Sequence, residues 1–219
     1  LYKVNNQTIV TTAKDMKIRD VVALMSFNEV SVEPYSYRKQ INSIYGAVNL
    51  GWKHMLYFDA TLRGYQSSTL PISNNMYIYP SFSGSFVFSE LLKLGDKLPY
   101  GKVRMSWAQV GSDTDPYQLG LVYTKSKFAY PGYTIGYISN GTIPNKDLKP
   151  TKTNSFEMGL ELKFLKNRIG LDFTYYSQLS KNQIMGMASS STSGYGYRLI
   201  NAGEIENKGV EIALSLIHI

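Results

Sequence analysis

From Leu56 to Arg63, apolar and polar side chains alternate without a break. Leu56, Phe58, Ala60 and Leu62 take one side; Tyr57, Asp59, Thr61 and Arg63 take the other. A period of two is the signature of a β-strand with one apolar face. The polar face is the unusual one, because it carries a phenol, an acid, a hydroxyl and a base in succession. Such a strand has two homes. Either its apolar face packs on a dry core with water outside, or lipid wets the apolar face and the polar face lines a wet interior.

The pattern recurs along the chain. Ile44, Val48 and Leu50 oppose Ser43, Tyr45 and Asn49. Phe82, Phe86 and Phe88 oppose Ser81, Ser83 and Ser85, and Val103, Met105 and Trp107 oppose Lys102, Arg104 and Ser106. Farther on, Phe156, Met158, Leu160, Leu162 and Phe164 oppose Glu157, Glu161 and Lys163. After a turn at Leu165-Lys166-Asn167, Ile169, Leu171, Phe173 and Tyr175 oppose Arg168, Asp172, Thr174 and Tyr176. Val210, Ile212 and Leu214 oppose Glu211 and Ala213. The fuller strands run roughly 8–11 residues, which crosses a bilayer at a tilt of about 45°. The one helix candidate, Lys14 to Phe27, is weak, since its apolar residues cluster instead of recurring every three to four.

The connections alternate in length. Short links fall at 52–54 and 165–167 and a medium one at about 90–101, while long links fall at about 65–79, 111–153 and 178–206. Taken in order, the long links lie at one end of the sheet and the shorter ones at the other. Outer-membrane barrels have this asymmetry, whereas a soluble β-sandwich gives no reason for it. The apolar faces carry no charge, and aromatics near strand ends (Trp52, Tyr57, Tyr79, Tyr175 and Tyr176) suit an interfacial girdle. The fold class expected is all-β, part of a large antiparallel transmembrane barrel with long extracellular loops. Tyr57, Asp59, Thr61, Arg63, Glu157, Glu161 and Asp172 then face the wet lumen. The alternative is a soluble extracellular glycan-binding β-protein.

Composition narrows the chemistry. Without cysteine there is no disulfide framework, thiol nucleophile or zinc–thiolate site. The net charge of +7 is spread over scattered Lys and Arg, so no basic stripe points to nucleic acid. No stretch approaches the ~18–20 apolar residues of a membrane-spanning helix. No signal peptide is visible, and both ends look cut. Ser215 to Ile219 read as a ragged or non-native end.

Catalysis has few candidates. The two histidines are His54, in a short turn, and His218, near the end. Glu157 and Glu161 are four apart on a strand, about 13 Å along it, which exceeds the spacing of glycosidase carboxylates. They read as lumen charges bridged by water or by an arginine on a neighbouring strand. Gly111-Ser112-Asp113-Thr114-Asp115 places carboxylates at alternate positions as a calcium loop does, but lacks the other ligands, and an Asx turn is the plainer reading. No catalytic residue, metal or cofactor is therefore expected. For substrate binding the candidates are loop tyrosines: Tyr117, Tyr123 and Tyr133, with Tyr130 and Tyr137 in the same stretch, and Tyr195 and Tyr197 in another. Their rings can stack on sugar faces while their hydroxyls hydrogen-bond, or can pack the loops together. Gly194 and Gly196 mark a flexible or closely packed tip.

Several segments also resemble a known family. They are INSIYGAVNLGWKHMLYFDATLRGYQSSTLP, YPSFSGSFVFSELL, GKVRMSWAQVGSDTDPY, NKDLKPTKTNSFEMGLELKFLKNRIGLDFTYYSQLSKNQI and SGYGYRLINAGEIENKGVEIALSL. Asp147-Leu148-Lys149-Pro150, the Asn167-Arg168 turn, and Asn201-Ala202-Gly203 followed by Asn207-Lys208-Gly209-Val210-Glu211 carry it furthest. In order, over about residues 41–214, they resemble the C-terminal half of the barrel of SusC/RagA-type TonB-dependent outer-membrane transporters of Bacteroidetes. The resemblance implies a barrel of about 22 strands with a plugged lumen. It also implies TonB acting through an N-terminal region missing from this chain, a SusD-type lipoprotein over the mouth, and import of an oligosaccharide or a peptide. On this reading the chain is a fragment. Residues 1–40 form an earlier strand and loop region, 41–214 the barrel strands and extracellular loops, and 215–219 the ragged end.

Overall fold

The computed structural model describes residues 1–92, 95–125, 133, 135–138 and 141–216, with only the backbone of 124, 125, 137, 138 and 191. In chain order the strands are β1 (Tyr2–Met16), β2 (Phe27–Trp52), β3 (Leu56–Ser67), β4 (Met76–Val87) and β5 (Tyr100–Ser112). Next come the short β6 (Tyr123–Lys125), β7 (Gly136–Ile138) and β8 (Thr142–Ile143), then β9 (Thr151–Phe164) and β10 (Ile169–Lys181). The short β11 (Ile184–Ala188) and β12 (Tyr197–Asn201) precede the last strand, β13 (Glu204–Leu216). Eight of them form one antiparallel sheet in the order β1-β2-β3-β4-β5-β9-β10-β13. It is open: β1 and β13 are its edges.

Each long strand exists because its alternating residues fall into register with those of its neighbours. Trp52, Leu56, Phe86, Val103, Leu160, Phe173 and Ile212 stand opposite one another in a single row across seven strands. On the other face, Asn49, Asp59, Ser83, Ser106, Glu157, Tyr176 and Gly209 form a second row. A slip of one residue in any strand would exchange the two faces. Two hairpin turns pin the register. Lys53 and His54 have φ of 48° and 55°, with the Met55 N–H donating to the Trp52 carbonyl at 3.0 Å. Lys166 and Asn167 have φ of 55° and 68°, closed by the Arg168 N–H on Leu165 O at 3.3 Å. Positive φ at both central residues is the primed turn whose twist matches that of the flanking strands.

Burial decides between the two homes of such a sheet. Its apolar face is not covered: Ile44 is 78% exposed, Leu50 60%, Ile212 68% and Leu214 65%. A charge-free face of this extent on a single sheet layer is a lipid belt, not half of a sandwich core. The one cluster of buried apolar residues among those described, Leu70, Leu148 and Leu199, lies among the long links instead.

The links lie as expected, at alternate ends, but the strands are longer than the alternation suggests. β3 takes up 65–67 and β4 takes up 76–79, so that link shrinks to 68–75. Residues 88–99 hold a short helix α1 (Phe88–Leu92) and a 3-10 turn, Gly95–Lys97. Phe88 leaves the strand and lays its ring over Gly101, where a Cβ would sit 2.4 Å from it. Lys14 to Phe27 is not a helix. β1 runs to Met16, positive φ at Asp15 and Asp20 breaks any helical path, and only Leu24–Ser26 make a 3-10 turn. β2 crosses the expected boundary at 40/41 without interruption. Ser215 and Leu216 continue β13 opposite Gly170 and Ile169; 217–219, with His218, lie outside the described residues. The girdle also needs correction, because parity separates its members. Trp52 and Tyr175 stand on the belt face, while Tyr57, Tyr79 and Tyr176 stand on the other.

Candidate functional site

Tyr57, Asp59, Thr61, Arg63, Glu157, Glu161 and Asp172 all stand on the polar face. There Asp59, Thr61 and Asp172 are tied by hydrogen bonds to neighbouring strands. Asp59 accepts from the Ser83 hydroxyl at 3.1 Å and from the Asn49 amide. The Thr61 and Ser81 hydroxyls meet at 2.5 Å. Arg104 on β5 reaches across β9 to β10, donating to both Asp172 oxygens at 2.9 Å and to the Thr174 hydroxyl at 2.7 Å. It can do so because Gly159 lies beneath it; a Cβ there would be 2.4 Å from Arg104 Nε. The neighbouring-strand arginine therefore serves Asp172, not the Glu157–Glu161 pair. Glu161 has Lys163 at 3.9 Å, and Glu157 lines a polar recess with Asp59, Lys102 and Arg104.

At the long-link end the connections are joined into one roof. Leu70, Leu148 and Leu199 come from three different links and pack with Tyr77, Leu119 and Ile184. The Asn201 side chain pairs with the backbone of residue 149 as a strand would: the Lys149 N–H donates to Asn201 Oδ1 at 2.8 Å, and Asn201 Nδ2 donates to Lys149 O at 2.7 Å. β12 pairs in parallel with β8. Asp113 anchors the base of the roof. Lys39 Nζ donates to its Oδ1 at 2.6 Å, and the Ser67 and Thr69 hydroxyls donate to its Oδ2. Both carboxylate oxygens are thus engaged by side chains of other elements. That replaces the Asx turn expected at 111–115; an Asx-type contact occurs instead at Asn145, whose Oδ1 accepts from the Asp147 N–H. Among the described residues no group of His, Asp and Glu could hold a metal ion.

Of the loop tyrosines, the structure brings two together. Tyr117 and Tyr197 line a cavity of about 380 Å³ with Gln118, Thr142, Gly186 and Leu199. Tyr117 holds φ at 66°, an uncommon setting for a bulky residue and the kind of backbone outlier that collects at binding sites. Both residues are 54% exposed, and Tyr123 and Tyr133 are more exposed still. Among the described residues the buried cluster between the links is built of leucines. Tyr123 belongs to the separate β6–β7 hairpin opposite Ile138, and Tyr195 is half-buried near the Gly194 turn, where φ is 78°. Tyr130 and the Tyr137 ring lie outside the described residues. His54 is an exposed turn residue at the opposite, short-link end.

A second cavity, of about 410 Å³, opens on the polar face just below the roof. Arg63, Tyr65, Tyr77, Tyr79 and Asp113 are among its lining residues. The three rings touch: the Tyr65 and Tyr77 centroids are 5.7 Å apart, and those of Tyr77 and Tyr79 5.0 Å. Sequence reasoning missed this cluster because it assigned 65–79 to a link. The available signal was parity, since Tyr65 continues the Asp59, Thr61, Arg63 side and Tyr77 and Tyr79 continue that of Ser81.

The profile of the family described as TonB dependent receptor-like, beta-barrel matches residues 10–216. The chain belongs to this family. It is similar to a TonB-dependent receptor of Formosa agariphila, 25% identical over 82% of this chain and 18% of the relative. It is likewise 25% identical to the TonB-dependent receptor SusC of Bacteroides thetaiotaomicron, over 83% of this chain and 19% of the relative. The chain therefore spans about a fifth of these relatives' length. A solved RagAB peptide transporter superposes with a TM-score of 0.79 at 21% identity, covering 97% of this chain and 24% of that one. The open sheet is thus part of a receptor barrel of the outer-membrane type. That displaces the soluble alternative, and one uncovered apolar face backed by one polar face is what a barrel with lipid outside and a wet lumen requires. The family is one of receptors and transporters, not of enzymes.

Proposed function

We propose that this chain is barrel wall and mouth of a SusC-type importer, which takes up an oligosaccharide or a peptide by TonB-dependent opening. A SusD-type lipoprotein would seat over the roof. The observation that carries the reading is the fusion of three long links into one roof above a polar lumen wall, in a chain of the TonB-dependent receptor family. A preformed cavity presents Tyr117 and Tyr197 together, so little ordering entropy is lost on binding. Tyr117 and Tyr197 would hold the incoming solute at the mouth, with Tyr123, Tyr133 and Tyr195 as outer contacts. Tyrosine suits either substrate, since a ring stacks on a sugar face or an apolar side chain and the hydroxyl bonds to either.

Uptake by cells carrying the complete gene tests this. Deleting the segment that engages TonB is expected to abolish accumulation of the solute while surface binding persists. Undiminished accumulation would sink the importer reading. Tyr117→Ala and Tyr197→Ala, each removing one stacking face, are expected to weaken binding about tenfold with the barrel intact.

A further inference from the structure

The lumen wall holds two arginines in opposite circumstances. Arg104 is closed off, because Asp172 takes two of its donors and Thr174 another. Arg63 is open. Among the described residues no carboxylate lies within ion-pair distance of it and no side chain accepts a hydrogen bond from it. Its guanidinium lies 5.9 Å over the Tyr45 ring, a contact that consumes none of its five N–H donors in a hydrogen bond to a side chain.

Its place in the register is specific. On its own row Arg63 stands between Tyr45 on β2 and Tyr79 on β4, and one row nearer the mouth stand Tyr65 and Tyr77. All but Tyr45 line the cavity beneath the roof. The cavity's one carboxylate, Asp113, is already matched by Lys39 at 2.6 Å. The cavity therefore keeps one uncompensated positive charge, set among phenol hydroxyls and aromatic rings. A monoanion with an apolar or ring body is the complement, and a planar carboxylate fits the fork of a guanidinium best.

We propose that Arg63, with Tyr65 and Tyr77, forms an inner subsite that receives the carboxylate of an acidic solute after it passes the mouth. The inference rests on the importer reading and names a substrate class for it. The carboxylate can belong to a uronic acid unit or to a peptide.

The test uses the complete transporter carrying this chain, purified in detergent, with four probes: an oligogalacturonate and its methyl ester, and an acidic peptide and its amidated form. At low ionic strength one acid is expected to bind about tenfold or more tightly than its neutral counterpart, and added salt should narrow the gap. Arg63→Gln is expected to erase the preference, weakening binding of the acid far more than that of the neutral form. Should that variant fail to fold, Arg63→Lys, which keeps the charge and loses the fork, is expected to narrow the preference. Whether the sugar or the peptide pair responds identifies the source of the carboxylate. Three results overturn the proposal: no acid preferred, a preference undiminished in both variants, or a carboxylate from elsewhere in the complete protein within ion-pair distance of Arg63. TonB-dependent uptake of the neutral probes separates the two readings. If it persists while the acid preference is missing, only the subsite falls; if no probe enters by a TonB-dependent route, the importer reading falls.

Discussion

Gly159 and Arg104 behave as one device. The glycine offers no Cβ, and the arginine uses the space to stitch β5 to β10 over the intervening strand. Both ion-pair partners remain more than a third exposed, so the pair itself stabilises little. A larger side chain at 159 costs more, because it must push aside the shaft of Arg104 or bend the sheet. Gly159→Val is expected to destabilise the barrel by about 1–3 kcal/mol, read as a lower temperature at which the compact electrophoretic form is lost. Gly170→Ala is the control, since the nearest atom to its added Cβ is 3.6 Å away, and it should leave that temperature unchanged. Equal losses in both would refute the special role of residue 159.

At the level of elements, the roof depends on Asn201. Its amide stands in for a strand's backbone, joining residue 149 to the start of β11's link through Lys149 and Asn182. Removing it hands those exposed backbone groups to water, at a cost of roughly 0.5–1.5 kcal/mol. In Asn201→Ala we expect protease to cut within 141–150 and 182–203 sooner than in the parent, with the sheet strands still protected. Equal cutting rates would mean that the leucine cluster alone holds the roof. The sequence made the two kinds of element unequally legible. Long strands announce themselves through alternation, because a face in lipid admits no charge and a wet face admits no long apolar run. Roof contacts follow no period. Leu148 is fully buried, yet nothing in the run from 145 to 150 says what buries it. Tyr65 and Tyr77 were hidden for a related reason: the polar residues between them read as a loop, although the ladder continues to Gln66 and Met76. Asp113 looked local and proved to be long-range, with partners 74 and 46 positions away in sequence.

For the whole molecule, the assignment of sides is open to direct measurement. With the complete protein in membranes, cysteines placed at Asp59 and Glu161 should react with a water-soluble thiol reagent once the lumen is accessible. Cysteines at Phe58 and Leu160 should stay protected until detergent is added. Free labelling at 58 and 160 in intact membranes would overturn the orientation. The unbroken rows also bear on how such a wall can change through descent. Because adjacent residues on a strand face lipid and water in turn, an insertion or deletion of one residue inside a strand inverts everything beyond it. Sequence length is therefore free to drift only in the connections, and at the short-link end the primed turns at 53–54 and 166–167 leave slack only in the link at 88–99. Change in length is channelled mostly to the roof, whose links can be rewritten while the register of the wall beneath them is inherited intact.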